Sequence, residues 1–337
     1  MDLHGKIDLD AHPVADRSLV RETVPVIDIR SLEDGSAAVD EIAAACRDLG
    51  FFQVVGHSVP QALIDQVWKK TREFFGSPAQ NRAAVLRSRD NPWGYYNNEL
   101  TKNQRDKKEV FDYTTPGVDG IYGAENRWPS HDPAFRTVML QYLEAVSGLS
   151  LRLLHAFCLG LGLPGKFLDP DFDGNHTGFV RLNHYPVEDP LRGSDIPHME
   201  EADMGVHHHS DAGALTVLLQ DDIGGLQVHH DNHWHDVPPL DSAFVINTGD
   251  MMQVWSNDRY RSPVHRVLPM RKSDRYSLPF FFNPSAAAKV SPLPSLLTPD
   301  NPARYRTIEW AQFRGKRTDG DYANYGTEVQ IGQYRLP

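Results

Sequence analysis

Apolar residues follow two different periods along this chain, and the change between them divides it. Val24-Pro25-Val26-Ile27-Asp28-Ile29 is a short run rich in β-branched residues and predicts a strand. From Ser36 to Leu49 the positions Val39, Ile42, Ala43, Cys46 and Leu49 recur at three- and four-residue steps, which predicts a helix stopped by Gly50. Phe51-Phe52-Gln53-Val54-Val55 predicts a second strand. Pro60 opens a further helix, with Leu63, Ile64, Val67 and Phe74 on one face and its end near Gly76. Residues 90–128 read as loop, rich in Gly, Asn and aromatics, and a long helix is expected over Pro133–Leu159.

From Gly178 the period shortens. β-type runs at 178–185, 213–219, 225–230, 243–247, 251–255, 264–268 and 276–283 alternate with Gly, Asp, Asn and Pro turns. That rhythm predicts an antiparallel sandwich or barrel. Arg304–Phe313 reads as a last short helix, and residues 1–23 and 318–337 as loosely structured ends. The expected fold is mixed and mainly β, one unit with a barrel core and a layer of helices from the N-terminal region.

Composition narrows the function classes. The 337 residues are 40% hydrophobic and 23% charged, which excludes wholesale disorder. Asp and Glu outnumber Lys and Arg by 45 to 34, and a net charge of −11 argues against a nucleic-acid surface. No apolar run approaches the roughly 20 residues of a membrane helix, so no span is expected. No basic-then-apolar leader opens the chain. Cys46 and Cys158 are the only cysteines, which fits a reduced, cytoplasmic setting. Nothing points to a particular protein partner. Sixteen histidines remain to be explained.

The densest of them lie in Val206-His207-His208-His209-Ser210-Asp211. His209 and Asp211 are two apart, and alternate residues of a strand face one side, so both can address one metal ion. Alone the pair is a weak signal. Gly213–Gln220 continues the strand at once, and 53 residues separate Asp211 from a single histidine, His265, set among Val264, Val267 and Leu268. Two histidines and one carboxylate, with coordination positions left open, form the facial triad of non-haem Fe(II) oxygenases. Past nine intervening residues, Arg275 and Ser277 share a strand face. A guanidinium fork and a hydroxyl suit a carboxylate, and an arginine beside a barrel interior needs a partner.

In this order and spacing, His-x-Asp, a distal His and Arg-x-Ser resemble the Fe(II)- and 2-oxoglutarate-dependent dioxygenases, in particular their isopenicillin N synthase-like branch. Gly50–His57, Asp211–Thr216, Gly224–Val228 and Asn257–Val267 match phrases of that branch. The resemblance implies a double-stranded β-helix, or jelly-roll, core over 176–284 and an N-terminal dioxygenase region over 24–128. It implies that His209, Asp211 and His265 hold Fe(II), with 2-oxoglutarate and O2 as cosubstrates. Arg275 and Ser277 would bind the distal carboxylate of 2-oxoglutarate, assisted by Tyr185, while Asn183 would lie nearer the iron. The implied reaction is hydroxylation, desaturation or cyclisation of a small organic molecule, with release of succinate and CO2. Two alternatives stay open: an iron oxidase of the same branch that does not use 2-oxoglutarate, and a non-catalytic sensor of metal and 2-oxoglutarate.

For the substrate, Tyr95, Arg181, Phe281 and Asn283 are the candidates. An inward Arg181 would favour an anionic or carbonyl-bearing molecule. The charges of Lys107–Tyr113 are expected on a solvated face, and His229–His235 at a hairpin turn around Asp231-Asn232. The Tyr- and Gly-rich tail around Gly320–Gly326 is a candidate lid.

Overall fold

The computed structural model describes residues 24–32, 36–117, 123–172, 174–191, 204–320 and 328–337. An eight-stranded sheet and a four-stranded sheet form its centre. In the larger sheet the spatial order is Val26–Asp28, Phe51–Val55, Phe244–Thr248, Leu215–Gln220, Arg275–Phe282, Phe179–Tyr185, Glu109–Thr114 and Gly94–Tyr96. The smaller runs His233–Asp236, Leu226–His230, His265–Val267 and Val206–His209.

Side-chain alternation explains how the two sheets meet. Along the larger sheet Val217, Leu219, Ile246, Leu278 and Phe280 face outward and join one apolar cluster with the helices. The alternate positions face the smaller sheet. Phe51, Leu218, Val245 and Tyr185 pack there against Val206, Leu226, Val228 and Val267 in a second cluster. This is the expected jelly-roll core, and the same parity sends Thr216, Asn247, Arg275 and Ser277 into the space between the sheets.

Helices Ala37–Asp48, Gln61–Phe75 and Pro133–Gly160 cover the outer face of the larger sheet. The last begins at Asp132, whose carboxylate accepts the Phe135 N–H at 3.2 Å. Its length and composition would suffice to cross a bilayer, but Val146, Leu153 and Phe157 are buried in the core. Gly50, at φ +71°, makes the turn between the first helix and Phe51–Val55. A Cβ there would stand 2.4 Å from the Arg261 carbonyl oxygen. The Asp231-Asn232 turn has φ of 46° and 64°, and His230 pairs with His233 across it, as a two-residue hairpin requires.

Five expectations are corrected. Residues 251–255 lie in a helix, Asp250–Trp255, because four of its apolar side chains are buried all round and such a run has no strand period to betray it. Its start needs Gly249, where a Cβ would meet the Gly213 carbonyl oxygen at 2.3 Å. Residues 90–128 are not all loop: Glu109–Thr114 is buried along its whole length between two neighbours of the large sheet. Consequently the charges of Lys107–Tyr113 do not form a solvated face, since Lys108, Glu109 and Asp112 are all buried. The last helix is Trp310–Gly320 rather than Arg304–Phe313, because Tyr305 bridges to Arg335 and Ile308 pairs with Val290 as strand. Nor are residues 328–337 loose: Arg335 forks onto Asp258 at 2.9 and 3.0 Å. Residues 1–23 and 321–327, with most of the candidate lid, lie outside the described residues.

Candidate active site

His209 ends one strand of the smaller sheet, and His265 begins its neighbour directly opposite in the antiparallel register. Their ring centroids are 4.3 Å apart. Each Nδ1 faces a backbone carbonyl two residues back: His207 at 2.8 Å and Pro263 at 3.2 Å. A carbonyl only accepts, so Nδ1 carries the proton and Nε2 presents its lone pair. Both Nε2 atoms stand 3.7 Å from Oδ1 of Asp211, which lies just beyond the strand end. One donor atom from each of the three residues falls within 4.8 Å of the others.

Asp211 is fixed from behind. Its Oδ2 accepts the Thr216 hydroxyl at 2.5 Å and the Asn247 amide at 2.8 Å, leaving Oδ1 for the histidines. Burial opposes its ionisation, but His265, His209 and these two hydrogen bonds more than offset that and hold its pKa below the usual range. Burial, then the neighbouring His265, push the His209 pKa down to about 3, so its imidazole is neutral. Two imidazoles with Nε2 turned inward and an ionised carboxylate converge on one point, which is the donor chemistry of a divalent transition-metal site. Among the described residues this is the single cluster of that kind.

The triad borders a cavity between the sheets, lined deeper in by Asn183, Tyr185, Arg275 and Ser277. Arg275 pairs in register with Tyr185, and its guanidinium lies 4.9 Å from that ring's centroid. Ser277 pairs with Asn183, whose amide donates to the Ser277 hydroxyl at 3.3 Å. Arg275 is 1% exposed, yet only Nη2 has a protein acceptor, Gln220 Oε1 at 3.2 Å; Nε and Nη1 have none. A buried guanidinium with two unmet donors beside a hydroxyl fits a carboxylate ligand.

A second cavity adjoins the first across His209 and Asp211. Phe281 and Asn283 line it, Phe281 reaching both spaces, and Asn283 donates to the Thr177 carbonyl at 3.3 Å. Arg181 also lines it, but as part of a buried ion-pair network. It forks onto Asp112 at 2.8 Å through Nε and Nη2, and Nη1 reaches Glu99 at 2.6 Å. Arg87 joins the same two carboxylates, and Lys108 bridges Glu99 at 2.7 Å and Asp106 at 3.0 Å. Arg181 therefore faces inward with its charge already met. His207 belongs to this network too, through Nδ1 and Asp106 at 2.9 Å, and is not a metal ligand.

Tyr95 is corrected outright. It is buried in the core beside Phe74, with its hydroxyl on Glu109, and touches neither cavity. Sequence reasoning missed Thr216 and Asn247, which share the inward parity of their strands, a signal that becomes readable once the register is known. It also missed Arg314 and Arg317 on the last helix, which line the outer cavity. Arg317 donates to the carbonyl of Ser210, between the two ligands of the His-x-Asp pair, at 2.9 Å.

Comparison with known proteins agrees with this geometry. The model of the 2OG-Fe(II) oxygenase superfamily matches residues 177–284, and that of the non-haem dioxygenase N-terminal region, described from morphine synthesis, matches 24–131. The chain is 34% identical to Arabidopsis thaliana protein DMR6-LIKE OXYGENASE 2, covering 96% of this chain and 92% of that one. It is 34% identical to flavanone 3-dioxygenase 2 of Oryza sativa, over 87% and 83%. A crystal structure of JOX2 in complex with 2OG, Fe and JA superposes with a TM-score of 0.80 at 30% identity, covering 98% of this chain and 96% of that one. The convergent triad, the unmet arginine and these matches together place the chain in the 2OG-Fe(II) oxygenase superfamily, as an Fe(II)- and 2-oxoglutarate-dependent oxygenase of small molecules.

Proposed function

We propose that His209, Asp211 and His265 hold the Fe(II), that Arg275 and Ser277 grip the distal carboxylate of 2-oxoglutarate, and that the outer cavity receives the substrate. The observation that carries this division is the pair of unmet donors on Arg275, buried at the deep end of the cavity whose rim is the triad. Bound there, the iron and its cosubstrates supply the oxidising chemistry, with 2-oxoglutarate and O2 converted to succinate and CO2 as the substrate is oxidised.

The chain's own residues orient and shield. Thr216 and Asn247 hold Asp211 so that one oxygen stays free. The carbonyls of His207 and Pro263 fix both imidazole tautomers. Tyr185 covers one face of Arg275, and Gln220 fixes its Nη2 end, which directs Nε and Nη1 to the ligand. Phe281, shared by both cavities, presents an apolar surface where the two meet. Whether the product is hydroxylated, desaturated or cyclised depends on how the substrate lies, which the metal motif does not dictate.

The test is anaerobic binding of 2-oxoglutarate to the Fe(II)-loaded protein, followed by O2 and detection of succinate, with His265→Ala and Arg275→Ala alongside. The wild type is expected to bind and to form succinate while both variants fail. Iron binding without any 2-oxoglutarate binding or turnover would instead favour an oxidase, with Arg275 holding a carboxylate of the substrate itself. Tight binding with no succinate from any substrate would favour a sensor.

A further inference from the structure

The outer cavity has several cations on its wall, and their partners separate them. Arg181 is held by Asp112 and Glu99, and Lys108 by Glu99 and Asp106. Arg317 is held by Glu328 at 3.0 Å and by the carbonyls of Ser210 and Val329 at 2.9 and 3.3 Å. Arg314 differs. It sits one helical turn before Arg317, half-buried on the same wall, and makes no hydrogen bond or ion pair with any of the described residues. Its close partner is an aromatic face: the guanidinium carbon lies 5.3 Å from the centroid of Phe179.

That placement has two consequences. Stacking on Phe179 holds the guanidinium plane while leaving its N–H edges free, so the fork is oriented before any ligand arrives. A guanidinium partly withdrawn from water without an acceptor is unfavourable, and a carboxylate from outside would supply the acceptor in bidentate form. The cosubstrate does not meet this need, because its distal carboxylate is assigned to Arg275 in the separate, deeper cavity. The same wall carries the apolar side chains of Leu100, Phe179, Val206 and Phe281, and its carboxylates Glu99 and Glu328 are paired, Glu99 with Lys108 and Arg181 and Glu328 with Arg317.

We infer that Arg314 is a specificity-determining residue that anchors the carboxylate of the substrate, whose apolar body lies along Phe179 and Phe281 toward the metal triad. The inference rests on the assignment of the outer cavity to substrate. It moves the preference for an anionic substrate from Arg181, whose charge is already met, to Arg314.

The probes are phenylacetate, 3-phenylpropanoate, octanoate and decanoate, each beside its primary amide. Binding is measured by anaerobic calorimetry on the Fe(II)- and 2-oxoglutarate-loaded protein, after 2-oxoglutarate binding itself has been confirmed. At least one acid is expected to bind more tightly than its amide, by about ten- to one-hundred-fold for a charge-assisted pair. Arg314→Gln should bring that acid down to the affinity of its amide, and Arg314→Lys should restore part of the difference. The amide's affinity reports whether the variant cavity is intact. Loss of amide and acid binding together in Arg314→Gln shifts the decision to Arg314→Lys, whose acid-to-amide ratio must then fall below the wild-type value for the inference to stand. If no acid is preferred over its amide, or if the preference survives Arg314→Gln, Arg314 is not the anchor. Failure of 2-oxoglutarate to bind at the first step would overturn the assignment of the two cavities instead.

Discussion

The side-chain amide of Asn247, on the strand Phe244–Thr248, donates at 2.8 Å to Oδ2 of Asp211, which lies just past the end of the strand Val206–His209. With the Thr216 hydroxyl on the same oxygen, it leaves the carboxylate one free atom, aimed at His209 and His265. Asn247→Ala should therefore weaken Fe(II) affinity by about 10- to 100-fold, the usual loss when a partner behind a metal ligand is removed. An anaerobic metal titration reads this directly. An unchanged affinity would mean that packing alone orients Asp211.

Arg275 leads to a less intuitive expectation. Two of its buried donors have no protein acceptor, so replacing it by an apolar residue removes a cost as well as a side chain. Arg275→Met should leave the ligand-free protein about as stable as the wild type, or more stable. The wild type should gain about 2.7 kcal/mol when 2-oxoglutarate is present at 100 times its Kd, and the variant should gain none. Thermal denaturation with and without 2-oxoglutarate separates the two effects.

Arg87 should behave in the opposite way. It is buried and bonded to Glu99 at 2.7 Å and Asp112 at 2.6 Å, and it lines neither cavity. Arg87→Met strands charge in the interior, and a loss of about 3–5 kcal/mol in chemical denaturation is expected. A loss under 1 kcal/mol would show that the remaining cations, Lys108 and Arg181, compensate.

Two histidines away from the metal triad set an acid limit. His57 Nδ1 accepts the Val59 N–H at 3.1 Å, and His176 Nδ1 accepts the Gly178 N–H at 3.2 Å. Both acceptors must be unprotonated, and burial lowers the pKa of each below the ordinary 6.5. Below that value the unfolded chain takes up protons that the folded one refuses, so stability falls as the pH drops from about 6.5. Urea midpoints at pH 7.5 and 5.5 should show the decline, and His57→Gln should make it shallower.

Much of this was legible in the residues. His209, His265 and the Arg-x-Ser pair share inward strand positions, and a period of two is readable without coordinates; Asp211 sits just past the end of its strand. What was hidden depended on pairing. Glu109 and Asp112 look like surface charges until Arg87, Arg181 and His184 are brought to them from elsewhere in the chain. Residues 251–255 carried apolar side chains on every face, so no period distinguished helix from strand. Tyr95 reads as a substrate residue because Gly94-Tyr95-Tyr96 resembles a loop that approaches the substrate in relatives, whereas here its hydroxyl is satisfied by Glu109 inside the core.

The register of His209 opposite His265 also bears on how such a chain can change over generations. The two imidazoles are brought together by the rungs of one ladder, and the 53 residues between Asp211 and His265 do not measure their separation. Lengthening the exposed turn at Asp231-Asn232 leaves the rungs in place, so insertions there are compatible with an intact centre. A slip of one rung would turn His265 to the opposite side of its sheet. Selection on this part of the chain thus acts on alignment between strands, and loop length is left free to diverge.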